Sequence, residues 1–268
     1  MIGVIGCGNM ASAIVFGIHG GYSDVKFQTY NPTKSKAKDL AAKVKGEAVD
    51  SLDELKSAQT LLIGVKPQKF DELAAQLLEA GIDLKDKHII SMMASISIDA
   101  IKRKLGVSKV TRVMPNTPIF YGKGVSLILH SDELSDETKE TINNYFKACS
   151  EVFEIDSEKT FDEVTTVTGS GPAYVYLFAE SFVNKLKSFG IEEKVAQKMV
   201  TGLFEGSSLL MRENAEDSLQ SMIDKVTSKG GVTIEAVKKY REHELEKITS
   251  IALDSAVNRS GELSNEFN

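Results

Sequence analysis

The chain has 268 residues, 42% of them hydrophobic, two cysteines and a formal net charge of −6. That length and apolar content suffice for a full core in one or two domains, and an acidic balance with no basic block argues against a nucleic-acid partner. Cys7 and Cys149 form no CxxC pair, which indicates neither a disulfide framework nor a zinc site, and Cys7 reads as a small filler in a turn.

The pattern opens with a strand over Met1–Ile5, followed by Gly6-Cys7-Gly8-Asn9-Met10-Ala11 as the turn into a helix reaching about Ile18. Gly6 permits the tight turn, Gly8 lets a pyrophosphate approach the backbone, and Ala11 takes the third glycine's place, where helix and strand pack closely. A phosphate there would meet the free N–H groups and the positive dipole end of the helix. GxGxx(G/A) alone is a weak match to a dinucleotide-binding fingerprint; the strand–turn–helix context strengthens it. A strand that begins at Met1 leaves no room for a signal peptide, and no apolar run approaches the ~18 residues of a membrane span. The expectation is a cytoplasmic protein without membrane contact.

Val25–Asn31 reads as the second strand. Its far end is where NAD-specific sites carry Asp or Glu for the ribose 2′-hydroxyl. Here Asn31 stands there, followed by Pro32, Thr33, Lys34 and Lys36, which offer hydrogen bonds and positive charge with no carboxylate to repel a 2′-phosphate, the alternative being a plain solvated loop with ordinary lysines. NADPH is therefore favoured over NADH. A short strand near Ala48-Val49 and a helix over Ser51–Lys56 lead to the apolar run Thr60–Val65, typical of a strand buried on both faces. The corner Val65-Lys66-Pro67 then lies at the carboxyl end of a parallel strand, the edge where ligands collect. A helix over Phe70–Ala80 precedes the buried strand Ile89–Met93, whose end, Ala94-Ser95, is small and polar where a nicotinamide would need room.

Next come a helix over Asp99–Leu105 and the strand Val110–Met114, closed by Pro115-Asn116-Thr117-Pro118, two prolines fixing a loop at the same edge. Gly124–His130 and Glu151–Ile155 are the last strands, separated by a helix capped by Ser135. From Lys159 onward only helical periods remain: Thr165–Lys187, kinked or restarted at Pro172, then Glu193–Glu213, Ser218–Val226, Val232–Arg241 and Glu244 to about Glu262, with a frayed tail over Asn265–Asn268. The fold class is thus α/β, an N-terminal Rossmann-type, doubly wound, mostly parallel sheet over 1–156 followed by an all-α domain over 157–268. Segments Ala173–Phe182 and Val200–Met211 are too apolar for a single buried stripe and point to oligomerisation through the helices.

A second informative stretch is Val226-Thr227-Ser228-Lys229-Gly230-Gly231-Val232-Thr233. Backbone N–H groups of Gly231 and Val232 at a helix start, with the Thr233 hydroxyl, make a carboxylate cradle; Gly-Gly is also a common helix–helix corner. The four histidines fall outside the ligand-edge loops, and no Ser-His-Asp order, HExxH or carboxylate pair stands out. Chemistry here would rest on a cofactor and on orientation.

Taken in order, Gly6-Cys7-Gly8-Asn9-Met10-Ala11, Val65-Lys66-Pro67, Arg112 to Pro118, Thr168-Gly169-Ser170-Gly171-Pro172-Ala173-Tyr174 and Thr227 to Thr233 resemble pyrroline-5-carboxylate reductase, and the resemblance runs from Met1 to Leu263. Lys229 departs from it, standing where most members have Pro. The resemblance implies reduction of 1-pyrroline-5-carboxylate to L-proline by NAD(P)H, the last step of proline biosynthesis, in a homodimer joined through intertwined helical domains and built in many members into a larger ring. It also implies site roles. Gly230, Gly231, Val232 and Thr233 would bind substrate, with Thr233 beside the ring nitrogen as the catalytic candidate. Gly6, Gly8, Asn9 and Met10 would hold the pyrophosphate, Asn31 and Thr33 the 2′-phosphate, and Val65, Lys66, Pro67 and Asn116 the nicotinamide end; no metal is implied. β-Hydroxyacid dehydrogenases share this domain plan but place a catalytic Lys early in the first interdomain helix, and no Lys occurs from Pro172 to Asn184. A reductase for another cyclic imine and a non-catalytic dinucleotide sensor remain the alternatives.

Overall fold

The computed structural model describes residues 1–268. Its eight strands are β1 (Ile2–Ile5), β2 (Phe27–Tyr30), β3 (Glu47–Ala48), β4 (Thr60–Ile63), β5 (His88–Ser91), β6 (Lys109–Pro115), β7 (Gly124–His130) and β8 (Ser150–Glu154). They form one sheet in the order β3-β2-β1-β4-β5-β6-β7-β8. Every neighbouring pair is parallel except β6 and β7. The order reverses between β1 and β4, so their carboxyl ends border the crevice in which doubly wound sheets bind ligands.

Period-two alternation sorts the strands' side chains between two layers. Ile5, Leu61, Ile63 and Ile89 face one cluster with Leu73 and Leu77 of α3 (Phe70–Glu79) and Ile101 of α4 (Ile98–Leu105). Ile2, Val4, Leu62 and Ile90 face the other, with Ile14, Val15 and Ile18 of α1 (Asn9–Gly21) and Ile142 and Phe146 of α5 (Asp136–Lys147). Each such side chain contributes about 1.5–3 kcal/mol by leaving water. One polar seam crosses the second layer: His88 Nε2 bonds Thr111 Oγ1 at 2.8 Å, Thr111 Oγ1 bonds His130 Nδ1 at 2.8 Å, and His130 reaches Asn143, whose amide donates to Glu154.

Packing divides the chain into one unit of Met1–Pro172 with Ala256–Asn268 and a second of Ala173–Ser255. By packing, α6 (Glu158–Thr168) belongs with the sheet, its Phe161 fully buried in the first cluster. The second unit holds α7 from Ala173 on (whole helix Gly171–Ser188), α8 (Glu193–Glu213), α9 (Leu219–Lys225), α10 (Val232–Glu242) and the start of α11 (Leu245–Phe267). Pro172 starts a new helix after a break at Gly169-Ser170, one of the two outcomes expected for it.

Three local readings are corrected. The stretch after Asn31 is not a plain loop: Thr33 is the N-cap of a helix, α2 (Lys34–Lys43), which buries Ala37, Leu40 and Ala41. Ser51–Lys56 is a 3-10 turn, Leu52–Ser57, closed by a Ser51–Glu54 capping box. The tail is not frayed, because α11 runs to Phe267, which packs on the first cluster, and Asn268 is hydrogen-bonded. No helix is long and apolar enough to cross a membrane.

Candidate active site

The turn after β1 is built for close approach. Gly6 has φ +94°, which a side chain resists, and the carbonyl carbon and oxygen of Gly64 lie 2.9 Å from where its Cβ would stand. A Cβ on Gly8, in contrast, would meet nothing within 4 Å, leaving open space over the start of α1. Gly8 is the N-cap without any side-chain cap, and the first turn carries no acid, so the N–H groups of Asn9 and Met10 have no partner within the helix and face no competing carboxylate. This donor set fits a pyrophosphate.

Asn31, at the end of β2, proves to be a brace. Its Oδ1 accepts from the Cys7 backbone N–H at 3.0 Å and its Nδ2 donates to the Thr33 carbonyl at 3.1 Å, leaving one amide N–H free. Thr33 is exposed at the α2 N-cap with its hydroxyl uncommitted to the helix, and α2 has no acid in its first turn. Lys34 is taken up by Asp50 at 2.8 Å. Cys7 is buried and its thiol is pushed up to about 11 by that burial, the behaviour of a filler rather than a nucleophile.

Past β4, Val65 is half-buried against the first cluster, and Lys66 precedes a 3-10 turn begun by Pro67, its side chain exposed. Asn116 is buried and committed to structure: Oδ1 accepts from Val125 N at 2.8 Å and Nδ2 donates to the Thr168 carbonyl at 3.0 Å, tying the end of β6 to the end of α6. Ser95, past β5, is buried with φ +61°.

The same unit contains a feature that sequence reasoning missed. Arg112 is 1% exposed; its guanidinium bonds Glu158 and Asp162, the latter at 2.8 Å, and lies 4.5 Å over the Phe161 ring. The signal was available as a lone Arg in an apolar strand and two acids four residues apart on a helix.

The other half of the predicted site lies in the second unit. Gly230 has φ +74°, and Gly231 is the N-cap of α10 without a side-chain cap, so the N–H groups that follow it lack helical partners. Thr233 is exposed in that first turn, and Glu235, the one acid there, is paired with Lys238 at 2.7 Å. Val232 is 90% exposed. The structure thus gathers Gly6, Gly8, Asn9, Met10, Asn31, Thr33, Val65, Lys66, Pro67 and Asn116 in one unit and Gly230 to Thr233 in the other. Within the second unit only Ala196 and Val200 are fully buried, while Tyr176, Leu177, Leu203, Leu210 and Ile251 are more than half exposed. A helical unit with so little core of its own has its apolar surface available to a partner.

A doubly wound sheet with a bare glycine turn and an N-terminal helix start open to phosphate defines a nicotinamide-dinucleotide oxidoreductase. Residues 1–95 match the family model "NADP oxidoreductase coenzyme F420-dependent", and residues 158–263 match "Pyrroline-5-carboxylate reductase dimerisation". A pyrroline-5-carboxylate reductase of Staphylococcus aureus (strain COL) is 36% identical over 265 residues, covering 97% of this chain and 96% of the relative. Among solved structures, a pyrroline-5-carboxylate reductase from Coxiella burnetii superposes with a TM-score of 0.89 at 26% identity, covering 98% and 97% of the two chains. That of Plasmodium falciparum, with NADP bound, superposes with a TM-score of 0.83 at 26% identity, covering 98% of each chain. The chain belongs to the pyrroline-5-carboxylate reductase family, and its reaction is the reduction of 1-pyrroline-5-carboxylate to L-proline.

Proposed function

We propose that this chain carries out that reduction with NADPH in preference to NADH, using the two residue sets just described. The observation that carries the reading is the start of α10, where the N–H groups of Val232 and Thr233 lack helical partners and Thr233 adds an exposed hydroxyl, while the Gly231 N–H is taken by the Ser228 carbonyl at 3.0 Å. A substrate carboxylate satisfies those N–H groups and gains from the helix dipole. With the carboxylate held there, the Thr233 hydroxyl hydrogen-bonds the ring nitrogen as it becomes an amine.

The start of α1 holds the pyrophosphate through Asn9 and Met10 N–H, over the space left by Gly8. Thr33, the free N–H of Asn31 and the N-terminus of α2 receive the 2′-phosphate, while Val65, Lys66, Pro67 and the backbone near Asn116 line the nicotinamide end. When bound, the reduced nicotinamide supplies the hydride that the imine carbon accepts. The conjugate acid of the imine is already electrophilic, which agrees with the lack of any acid–base constellation: Thr233 orients and hydrogen-bonds but does not act as a general acid, since a hydroxyl is a poor acid near neutrality. The second unit joins two copies as a homodimer, which assembles further into a ring, and the enzyme works in the cytoplasm.

The test is to follow the loss of reduced-nicotinamide absorbance with purified protein and 1-pyrroline-5-carboxylate, NADPH and NADH side by side. Oxidation that is faster with NADPH at limiting cofactor supports the reading. Oxidation with neither, despite cofactor binding, moves the assignment to another cyclic imine or to a sensing role.

A further inference from the structure

Ser95 follows β5 at the ligand edge of the sheet, and it is one of three non-glycine residues with positive φ, at +61°; it is also the one of the three that is buried. A serine in the left-handed region costs free energy and persists only where its surroundings over-determine it. What surrounds it comes from 173 residues away. Asn268 donates through Nδ2 to the Ser95 carbonyl at 2.9 Å, while its Oδ1 accepts both from Ser97 N at 2.8 Å and from Ser97 Oγ at 2.6 Å. Ser97 is in turn the N-cap of α4, its Oγ accepting from Ala100 N at 3.1 Å. Asn268 is itself held: its carbonyl accepts from Arg103 Nη2 at 2.6 Å, and one turn earlier Ser264 donates to Asp162, the acid that Arg112 also binds. Ile98 N donates to Glu158 at 2.6 Å, so both sides of the loop are fastened to the Arg112 cluster.

We propose that Asn268 is a positioning residue for the reaction: its amide clamps the Ser95–Ser97 loop and keeps Ser95 left-handed, which sets the shape of the sheet edge at the nicotinamide end. The inference rests on the reading that this edge is the nicotinamide end. One amide bridging the two residues on either side of Ile96 is a geometry that a general surface contact would not need. None of the loop's hydrogen bonds named above reaches the start of α1, so loss of the clamp leaves the pyrophosphate contacts in place. Glycine adopts φ +61° without a clamp. Replacing Ser95 by Gly therefore removes the need for Asn268.

The experiment compares wild type, Asn268→Ala, Ser95→Gly and the double variant, measuring kcat and KM for 1-pyrroline-5-carboxylate, Kd for NADPH, and hydrogen exchange of the peptide spanning residues 92–98. Asn268→Ala is expected to lower kcat/KM by about tenfold or more, the scale of a misplaced reacting group, with NADPH Kd nearly unchanged and exchange in the peptide faster. Ser95→Gly in that background is expected to restore most of the loss. Wild-type kinetics and exchange in Asn268→Ala, or a loss that Ser95→Gly leaves untouched, would overturn the inference. A wild-type enzyme inactive on this substrate would instead count against the site reading. The exchange measurement then still decides whether Asn268 clamps the loop, and unchanged exchange there overturns the clamp.

Discussion

Asn31 and Cys7, 24 residues apart, are joined by a 3.0 Å hydrogen bond in which the Cys7 backbone N–H donates to the Asn31 side chain. One residue at the end of β2 thereby fixes both the glycine turn and, through the Thr33 carbonyl, the start of α2. Asn31→Asp keeps the acceptor for Cys7 but turns the donor toward Thr33 into a second acceptor, and it adds negative charge where a 2′-phosphate would lie. We expect kcat/KM for NADPH to fall by roughly ten- to a hundredfold, about 1.4–2.8 kcal/mol, with a smaller fall for NADH. Equal losses for the two cofactors would mean that Asn31 acts only as a brace.

Thr233 has an exposed hydroxyl in the first turn of α10. Thr233→Ala is expected to lower turnover by roughly ten- to a hundredfold, the scale of one hydrogen bond to a charge-developing atom, with NADPH Kd unchanged. Thr233→Ser should retain much of the activity because it keeps the hydroxyl. A parallel weakening of NADPH binding in the alanine variant would remove Thr233 from the substrate end.

Arg112 sits in the interior with its charge balanced by two partly exposed acids on α6, Glu158 and Asp162. Neutralising both as Glu158→Gln with Asp162→Asn leaves a buried cation alone, which costs about 3–5 kcal/mol. Arg112→Met removes the buried charge and lets the acids rehydrate, so it should cost less. Urea midpoints at one fixed protein concentration, required because assembly shifts apparent stability, will show the order. If Arg112→Met is the more damaging variant, then packing against Phe161 outweighs the ion pairs.

What the chain's residues disclosed in advance follows from the range of the interactions involved. Strands such as Thr60–Ile63 and helices such as Glu193–Glu213 announce themselves because burial periodicity is local, and the glycine turn is legible because Gly6 and Gly8 are required by backbone geometry at that place. Helix α2 was hidden by its composition: Lys34, Lys36, Lys38 and Lys43 make it a polar segment with only Ala37, Leu40 and Ala41 turned inward. The packing of α6 on the sheet was hidden because α6 is helical like its successors, and only Phe161 and its contacts place it there. Asn116 and Asn268 show the clearest limit. Their amides bond residues 52 and 171 positions away, at Thr168 and Ser97, and no local pattern encodes such a partner.

His88 carries the pH dependence. Burial pulls its pKa down from 6.5 to about 3, with the neighbouring His130 and Lys109 acting in the same direction, and its Nδ1 has no hydrogen-bond partner. His130 is also lowered, again chiefly by burial. Above pH ~6.5 the ring is neutral in the folded and unfolded chains alike, and no penalty arises. Below it the unfolded chain takes up protons that the native state refuses, so stability falls with decreasing pH until about 3, where the folded ring protonates too. Each such proton contributes a slope of at most about 1.4 kcal/mol per pH unit. His88→Gln keeps an amide donor for Thr111 but cannot titrate. Its melting temperature, followed from pH 7 to pH ~4.5, should therefore fall less steeply than that of the wild type. If the two curves run parallel, the acid sensitivity belongs to His130 and the surface carboxylates, and His88 contributes none of it.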